Sequence, residues 1–231
     1  AANVRYNLNR KATRVRVFEI GAVFFKDDRV AEGPLAVAGI AQPKRVAAMA
    51  YGPVAEEQWG QPARNVDFFD LKADLEALCA PLKPRFEPAE HPSLHPGRSA
   101  RIVVDGDTVG FIGELHPRLQ QILDLPLAPV VFEVDASFLQ KRNLPAYLEI
   151  SKFPAVTRDL ALLVKQSINV QTLLDTFAVE RVANPACAIM QDIVLFDEYR
   201  GKGLAEDEKS LAFRITMQDT QSTLQLSLIH I

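Results

Sequence analysis

Three histidines, His91, His95 and His116, have the side-chain type that binds transition metals. His91 and His95 are four residues apart, a spacing that places two imidazoles on one face of a helix, where both can bind one ion. Each histidine is followed directly by a proline, however, and the residue before a proline is biased towards extended backbone. Residues 91–102 are therefore predicted to form a loop leading into a strand, with the histidines exposed or capping turns and no metal bound.

The composition is that of a soluble globular protein. The chain has 231 residues, of which 48% are hydrophobic and 24% charged, and this length suits one large or two modest domains. The formal net charge of -3 gives no general attraction to nucleic acid, so RNA binding would require a local patch. Cys79 and Cys187 belong to no CxxC pair and are predicted to be buried free thiols.

No apolar stretch has the length of a membrane span, and the basic first residues lack the apolar segment of a signal peptide. We therefore predict a cytoplasmic protein without membrane contact. The final residues, 225–231, are apolar and without pattern, and we interpret them as a non-native tail.

The elements that must position these side chains follow from apolar periodicity. Residues 13–25 alternate and predict a strand with a kink at Gly21. Two runs of small apolar residues, 34–42 and 45–53, predict buried central strands. Asp67 is predicted to cap a helix with apolar positions at three- and four-residue spacing, namely Phe68, Leu71, Leu75 and Leu78.

Further along, Asp105-Gly106 predicts a hairpin turn between two antiparallel strands, followed by a short helix and by a strand that runs into a helical turn. From residue 155 onward the pattern predicts strand, helix, strand, strand. The helix has Val170, Leu173, Leu174 and Phe177 on one face. This β-α-β-β order is most of a ferredoxin-like unit.

Several stretches of this sequence resemble one family, the beta chains of bacterial phenylalanyl-tRNA synthetase. "SKFPAVTRDLALLV" and "DIVLFDEYRGKGLAEDEKSLAFRITMQDTQSTL" are similar to the ferredoxin-fold anticodon-binding domain that closes those chains. Upstream, five segments resemble the catalytic-like module of the same family and occur in its order: "RVFEIGAVF", "NVDFFDLKADLEALC", "HPSLHPGRSARI", "VGFIGELHP" and "FEVD". The resemblance covers nearly all of residues 4–224.

The resemblance implies an α+β fold: a class II synthetase-like antiparallel sheet with helices, followed by an incomplete ferredoxin-like β-α-β-β unit. We expect a non-catalytic class II synthetase module over residues 1–148 and a truncated ferredoxin-fold anticodon-binding domain over residues 149–224. The chain is expected to be a fragment, without the tRNA-binding fold, the editing module and the magnesium ligands of a full beta chain.

The residues that would hold ATP in a class II synthetase are not in place. Such a site needs an arginine two residues before a glutamate on one strand, whereas Arg16 precedes Glu19 by three, which puts them on opposite faces. The second pattern, glycines followed by an arginine, is matched only by Gly110 and Gly113 with Arg118 beyond a proline. We therefore expect no catalytic residue and no cofactor in this chain.

The resemblance implies that the parent complex is an enzyme, a phenylalanine–tRNA ligase that consumes ATP with Mg²⁺, in which the alpha chain activates phenylalanine. This chain is expected to support that alpha subunit in an alpha2-beta2 assembly and to bind the anticodon region of tRNA(Phe). On its own it is expected to be inactive.

Because acidic residues outnumber basic ones after residue 149, anticodon binding must rest on few contacts with unpaired bases rather than on bulk charge. Tyr199 is the aromatic expected to be exposed, since it ends a strand beside Arg200 and Gly201. For the other three aromatics of this region, Phe153, Phe196 and Phe213, core packing is the preferred interpretation. The candidate RNA-binding residues are Arg158, Tyr199, Arg200, Lys202 and Arg214.

Two other functions remain open from the sequence. One is a stand-alone metal-dependent hydrolase that uses the three histidines, with Glu114 as base. The other is a small-molecule-binding ferredoxin-like regulatory protein. A cluster of cations near the start could contact tRNA or a partner chain, or could simply protect a strand edge: Arg5, Arg10, Lys11, Arg14 and Arg16.

Overall fold

The computed structural model describes residues 2–140, 147 and 150–224, and the chain divides into two compact units, residues 1–144 and 145–231. The domain boundary predicted at residue 148 and the predicted tail at 225–231 lie outside the described residues. The described residues contain no helix long and apolar enough to cross a membrane.

The strands of the first unit are β1 (Val15–Ala22), β2 (Phe25–Lys26), β3 (Ile40–Ala41), β4 (Lys44–Tyr51), β5 (Arg85–Pro88), β6 (Leu94–Val104), β7 (Asp107–Leu115) and β8 (Val130–Asp135). Six of them form a sheet in which every neighbouring pair is antiparallel, in the order β1-β4-β8-β7-β6-β5. Its helices are α1 (Ala2–Leu8), α2 (Phe68–Cys79), α3 (Pro117–Ile122) and α4 (Ala136–Leu139). The antiparallel class II-like sheet that we expected is confirmed.

One face of this sheet holds the main core. Helix α2 turns Leu71, Leu75 and Cys79 onto apolar residues from the middle strands, among them Ile102 and Ile112. Leu75, Ile102 and Ile112 are completely buried. Burying each such side chain contributes about 1.5–3 kcal/mol, so this contact anchors α2 to the sheet. It also raises the pKa of the Cys79 thiol to about 11, mainly because burial disfavours the thiolate.

The start of α2 is fixed by the capping residue that the sequence predicts. The Asp67 carboxylate accepts hydrogen bonds from the backbone N–H groups of Phe69 and Asp70, at 2.8 and 3.2 Å. The Asp70 side chain accepts in return from the Asp67 N–H at 2.8 Å, which completes a capping box. Arg64 donates to both carboxylate oxygens of Asp70, at 2.7 and 2.6 Å.

The hairpin between β6 and β7 turns where Asp105-Gly106 predicts it. Asp105 has φ 52° and Gly106 has φ 88°, so both turn residues are left-handed, as the tightest hairpin turns require. Asp and Gly adopt this region at little cost, which is why the pair is a strong signal.

The interpretation of residues 34–42 as a buried central strand is wrong. Ile40 and Ala41 pair with β2 in a two-stranded ribbon outside the six-stranded sheet, and Ala36 and Val37 form isolated bridges with residues close in sequence. Leu35 is 96% exposed. Pro34 cannot donate to a ladder and Gly39 is left-handed (φ 74°), so the backbone turns before a longer strand can form.

Helix α1 was not expected, because the first residues lack a helix cap. Val4 of this helix is completely buried against Val15, Tyr51 and Leu125, which form a second small cluster. Tertiary packing of one valine therefore stabilises a helix that local signals do not predict.

Strand β1 continues through Gly21 without the predicted kink and lies at one end of the sheet order. Strand β1 and the following segment that contains the β2–β3 ribbon both carry exposed apolar side chains. These side chains are Val17, Phe18, Ile20, Phe24, Phe25, Leu35 and Val37.

The second unit contains β9 (Val156–Lys165), α5 (Val170–Ala183), β10 (Met190–Tyr199) and β11 (Glu208–Met217), with a short 3-10 turn at Pro185–Cys187. The strands form an antiparallel sheet in the order β10-β11-β9. This is the predicted β-α-β-β unit. Phe177 of α5 packs against the buried Phe213 of β11, with ring centroids 5.5 Å apart, so α5 covers one face of the sheet.

Replacing Leu75 by alanine should destabilise the first unit by about 2–5 kcal/mol, because it removes a completely buried side chain from a packed core. Urea denaturation followed by circular dichroism measures the change. Leu35→Ala is the matched control: this leucine is 96% exposed, so the effect should stay within about 0.5 kcal/mol. Equal losses in the two variants would contradict the assigned core.

A second prediction concerns acid stability. Hydrogen bonds from the Arg64 side chain are the largest reason why the pKa of Asp70 is lowered from 3.8 to about 2. Folding therefore favours the ionised carboxylate, and its contribution is complete above pH 4 and is lost as the pH falls towards 2. In Arg64→Gln, the urea midpoint should fall less over this interval than in the parent chain. Arg118→Gln removes an exposed arginine on α3 and should leave the original pH dependence intact.

Candidate nucleic-acid interface

The sheet of the second unit has one covered and one open face. Along β11, Leu211 and Phe213 are buried on the side of α5, so Arg214, one residue further, points to the opposite side. Directly paired residues share a face in an antiparallel sheet, which places Asp159 and Val194 beside Arg214. We call this side the open face, and its defining residues are Asp159, Val194, Phe196, Tyr199 and Arg214.

Tyr199 ends β10 at the edge of the open face and is 49% exposed. Its hydroxyl donates to the Lys202 carbonyl at 3.1 Å. A Cβ on Gly201 would lie 3.0 Å from that hydroxyl oxygen, so the ring lies directly against the turn. Gly203 is left-handed (φ 99°) and lets the chain reverse towards β11. The tyrosine is thus held in place while half of its surface remains accessible.

The two candidate cations of this turn differ in their partners. Arg200 is paired through its Nε with the carboxylate of Glu198. For Lys202, which is exposed, the described residues supply no hydrogen-bond or ion-pair partner to the side chain. The ammonium of Lys202 is therefore the more available of the two for a phosphate.

Arg214 is held rigidly across the open face. Its Nε and Nη2 donate to the two oxygens of Asp159 at 2.8 and 2.9 Å, a bidentate pair between β11 and β9. Its guanidinium carbon lies 4.8 Å from the centroid of the Phe196 ring. The hydrogen bonds lower the pKa of Asp159 and raise that of Arg214, so both groups stay charged at neutral pH.

The structure does not place Arg158 with the other candidates. It pairs with Ile215, and its neighbour Leu160 pairs with the buried Phe213, so Arg158 lies on the side of the sheet covered by α5. Its exposed guanidinium donates to the Thr157 carbonyl at 3.0 Å.

Of the aromatics expected in the core, Phe213 is fully buried, which confirms that interpretation, whereas Phe196 is 49% exposed and the core interpretation is wrong for it. The reason is alternation along β10: Val194 pairs with Arg214 on the open face, and Phe196 lies two residues further on the same side. A bulge between Leu195 and Asp197, where β10 has one more residue than β11, then brings Tyr199 to this side as well. Sequence reasoning also missed Asp159, because only the strand register brings it opposite Arg214.

Each of the three histidines caps a turn through the same kind of hydrogen bond. In each, the imidazole Nδ1 accepts the backbone N–H two residues later, at 3.0–3.2 Å: His91 from Ser93, His95 from Gly97 and His116 from Arg118. These are the turn-capping roles that the His-Pro pattern predicts. His116 is also the N-cap of α3.

The prediction of a loop from residue 91 that leads into a strand at Ser99 is partly wrong. Strand β6 begins at Leu94 and contains His95, and the register slips between Leu94 and Ser99. The segment is therefore an irregular strand rather than a turn before one. Within the described parts of the chain, no three His, Cys, Asp or Glu side chains are arranged to hold a metal ion. Glu114, the base of the hydrolase alternative, is paired with Arg98 at 2.7 Å.

Comparison with known proteins gives matches over both units. The family model described as phenylalanyl tRNA synthetase beta chain CLM domain matches residues 1–136. The model described as ferredoxin-fold anticodon binding domain matches residues 151–230. The chain belongs to the phenylalanyl-tRNA synthetase beta chain family.

Individual members of this family are similar over nearly the whole chain. The phenylalanine–tRNA ligase beta subunit of Ralstonia nicotianae is 58% identical over 230 residues, which are 98% of this chain and 28% of the relative. Those of Burkholderia pseudomallei and Dechloromonas aromatica are 59% and 52% identical, over 96% and 97% of this chain. The chain thus spans little more than a quarter of the length of these relatives.

In the first unit, Arg16 and Glu19 lie on opposite faces of the sheet. Arg16 pairs with Ala50 on the core side of the sheet and makes a 2.9 Å salt bridge to Asp74 of α2. Glu19 points to the other side, as the three-residue spacing predicts.

The glycines compared with a nucleotide motif serve strand packing instead. A Cβ on Gly110 would lie 2.0 Å from the Glu133 carbonyl oxygen, and one on Gly113 would lie 2.8 Å from the Arg98 carbonyl oxygen. Side chains are therefore excluded at both positions by neighbouring backbone.

The basic cluster near the start is largely engaged in local contacts. Arg10 lies over the Tyr6 ring, 3.5 Å from its centroid, and three other arginines bind backbone or carboxylate oxygens. Their contacts are Arg5 with the Leu123 carbonyl, Arg14 with the Val54 carbonyl, and Arg16 with Asp74. This arrangement favours a structural role for most of the cluster.

The capping role of His116 gives a direct test. Nδ1 of histidine and Oδ1 of asparagine lie the same number of bonds from the backbone, so His116→Asn should keep the hydrogen bond to the Arg118 N–H. His116→Ala should lose about 0.5–2 kcal/mol of stability, as other N-caps do. Urea denaturation of the two variants measures this difference. A chelator that lowers the melting temperature of the parent chain but not of His116→Ala would instead indicate a metal site.

Proposed function

We propose that this chain is a non-catalytic part of the beta subunit of a phenylalanine–tRNA ligase. In this proposal the second unit binds the anticodon region of tRNA(Phe), and the first unit supports the catalytic alpha subunit in an alpha2-beta2 complex. The relatives, which are phenylalanine–tRNA ligase beta subunits, and the anticodon-binding family model for residues 151–230 support this assignment.

The observation that carries the anticodon proposal is the accessible end of the open face. Tyr199 is half exposed and held against a turn that also carries Arg200 and Lys202. An aromatic ring stacks on an unpaired base whatever its identity, and adjacent cations bind the phosphates that flank the base. Few residues are required, which agrees with the excess of acidic over basic residues in this unit.

The first unit has an antiparallel sheet of the class II type, and the salt bridge between Arg16 and Asp74 supports a non-catalytic role for it. We propose that ATP, Mg²⁺ and phenylalanine are bound by the alpha subunit. The exposed apolar side chains of β1 and the β2–β3 ribbon fit a role in contact with another chain.

In the intact ligase, Tyr199→Ala should raise the KM for tRNA without changing phenylalanine-dependent pyrophosphate exchange, since losing a stacked base costs about 1–3 kcal/mol. Arg200→Ala should raise the same KM more modestly. Tyr199→Phe keeps the ring and loses only the hydroxyl bond to Lys202, so it serves as the control. An unchanged KM in all variants would rule out this turn as the binding site, while leaving the family assignment intact.

The 231-residue chain alone should give no ATP–pyrophosphate exchange with phenylalanine. The physical reason is the missing pair of ATP-binding arginines. The measurement is exchange by the purified chain against a blank, with and without added alpha subunit. Exchange by the chain alone that disappears in Arg16→Ala would refute the non-catalytic assignment.

A further inference from the structure

A planar cation and an exposed aromatic ring are fixed together at the centre of the open face. Both hydrogen-bonded nitrogens of Arg214 are held by Asp159, and its guanidinium lies 4.8 Å from the Phe196 centroid. We propose that Phe196 and Arg214 form a stacking platform for one unpaired RNA base, separate from the Tyr199 turn. The proposal rests on the anticodon-binding function above and extends it to a second position.

The ion pair determines what Arg214 can contribute. The Asp159 carboxylate accepts hydrogen bonds from two nitrogens of Arg214, so the pair has no net charge. A phosphate would therefore be attracted only weakly to the pair. Two of the five N–H donors of the guanidinium are already used, and the bidentate pair fixes the orientation of its flat faces. Guanidinium planes stack on nucleobases as aromatic rings do. The structure therefore favours stacking over phosphate binding for Arg214.

The exposure of Phe196 follows from the local backbone. Val194 pairs with Arg214, so alternation places the Phe196 ring, two residues further along β10, on the side of Arg214. The open face is not covered by α5, which lies on the Phe213 side. A phenylalanine that is half exposed and lies beside a fixed cation is the arrangement used to stack single-stranded bases.

The position of the platform also suits RNA. Phe196 and Tyr199 are three residues apart on β10, roughly 10 Å of strand, and the bulge between Leu195 and Asp197 lets both rings lie on the open face at successive places. The exposed Lys202 lies in the turn at the end of the same strand. A strand of RNA lying along β10 would then meet an aromatic at each place and a cation at the end.

The test uses the 231-residue chain and a short RNA hairpin that carries the anticodon loop of tRNA(Phe), with binding measured by fluorescence anisotropy at several salt concentrations. Phe196→Leu keeps an apolar side chain of similar size but removes the ring. It should weaken binding by roughly five- to 150-fold, the range for loss of one stacked base, with the salt dependence unchanged. Phe196→Tyr keeps the ring and should bind within about twofold of the parent chain.

A charge-neutral double variant distinguishes stacking from phosphate binding. Asp159→Asn with Arg214→Gln removes one positive and one negative charge together. The platform predicts weaker binding with an unchanged salt slope, whereas a phosphate contact predicts a slope smaller by about one. Arg214→Lys keeps the charge without the plane and should also weaken binding. Circular dichroism and melting temperature show whether each variant is folded, and Val182→Ala on α5 is the control for an exposed apolar change away from the open face.

Replacing each loop nucleotide in turn by an abasic one identifies the stacked base. At one position the abasic hairpin should bind more weakly, and Phe196→Leu should have no further effect on it. If the parent chain does not prefer the anticodon loop over the same stem with an unrelated loop, the proposed anticodon function fails. If the preference is present but Phe196→Leu binds within twofold of the parent, or the double variant lowers the salt slope by one, the platform alone is overturned.

Discussion

The packing of the larger sheet depends on how closely its middle strands approach at two glycines of β7. At Gly110 the backbone of β8 occupies the space that a side chain would need, with Val134 Cα only 2.8 Å from the position of a Cβ. At Gly113 the backbone of β6 does the same from the other side. Because β7 lies between β6 and β8, these contacts set the positions from which Ile102, Ile112 and Phe132 meet α2. The core and the sheet geometry thus depend on the absence of two side chains.

Strict alternation along the strands then separates the roles of the two sheet faces. In the first unit it directs Arg16 towards α2 and Glu19 away from it. In the second unit it places Phe213 under α5 and Arg214 on the open face. The same two-residue period therefore separates Arg16 from Glu19 in one unit and forms a candidate site in the other.

Sequence reasoning succeeded where the signal is local. The capping box at Asp67, the left-handed pair at Asp105-Gly106 and the His-Pro turns each depend on residues within a few positions of one another. It failed where the decision is made by distant contacts. Helix α1 exists because Val4 is buried by residues far along the chain, and residues 34–42 stay outside the sheet despite their apolar character.

The candidate site contains residues of both kinds, some with a local signal and some brought together only by distant contacts. Exposure of Tyr199 follows from its place at a strand end before a glycine turn, so it was predictable. The group formed by Asp159, Phe196 and Arg214 needs the register of three strands, which composition and periodicity do not specify. Arg158 shows the opposite case, since its type fits RNA binding but the register assigns it to the helix side.

Strand β1 has a consequence for the behaviour of the chain in solution. It ends the sheet order, and its exposed side chains include Phe18 and Ile20, with Phe24 and Phe25 following directly. An end strand with a free row of backbone groups and apolar side chains is a template for pairing with a second copy. We therefore expect the purified chain to self-associate as its concentration rises, and to do so less when a charged residue replaces Phe18. The solubility of the chain would then depend on the exposed side of β1 more than on its modest net charge.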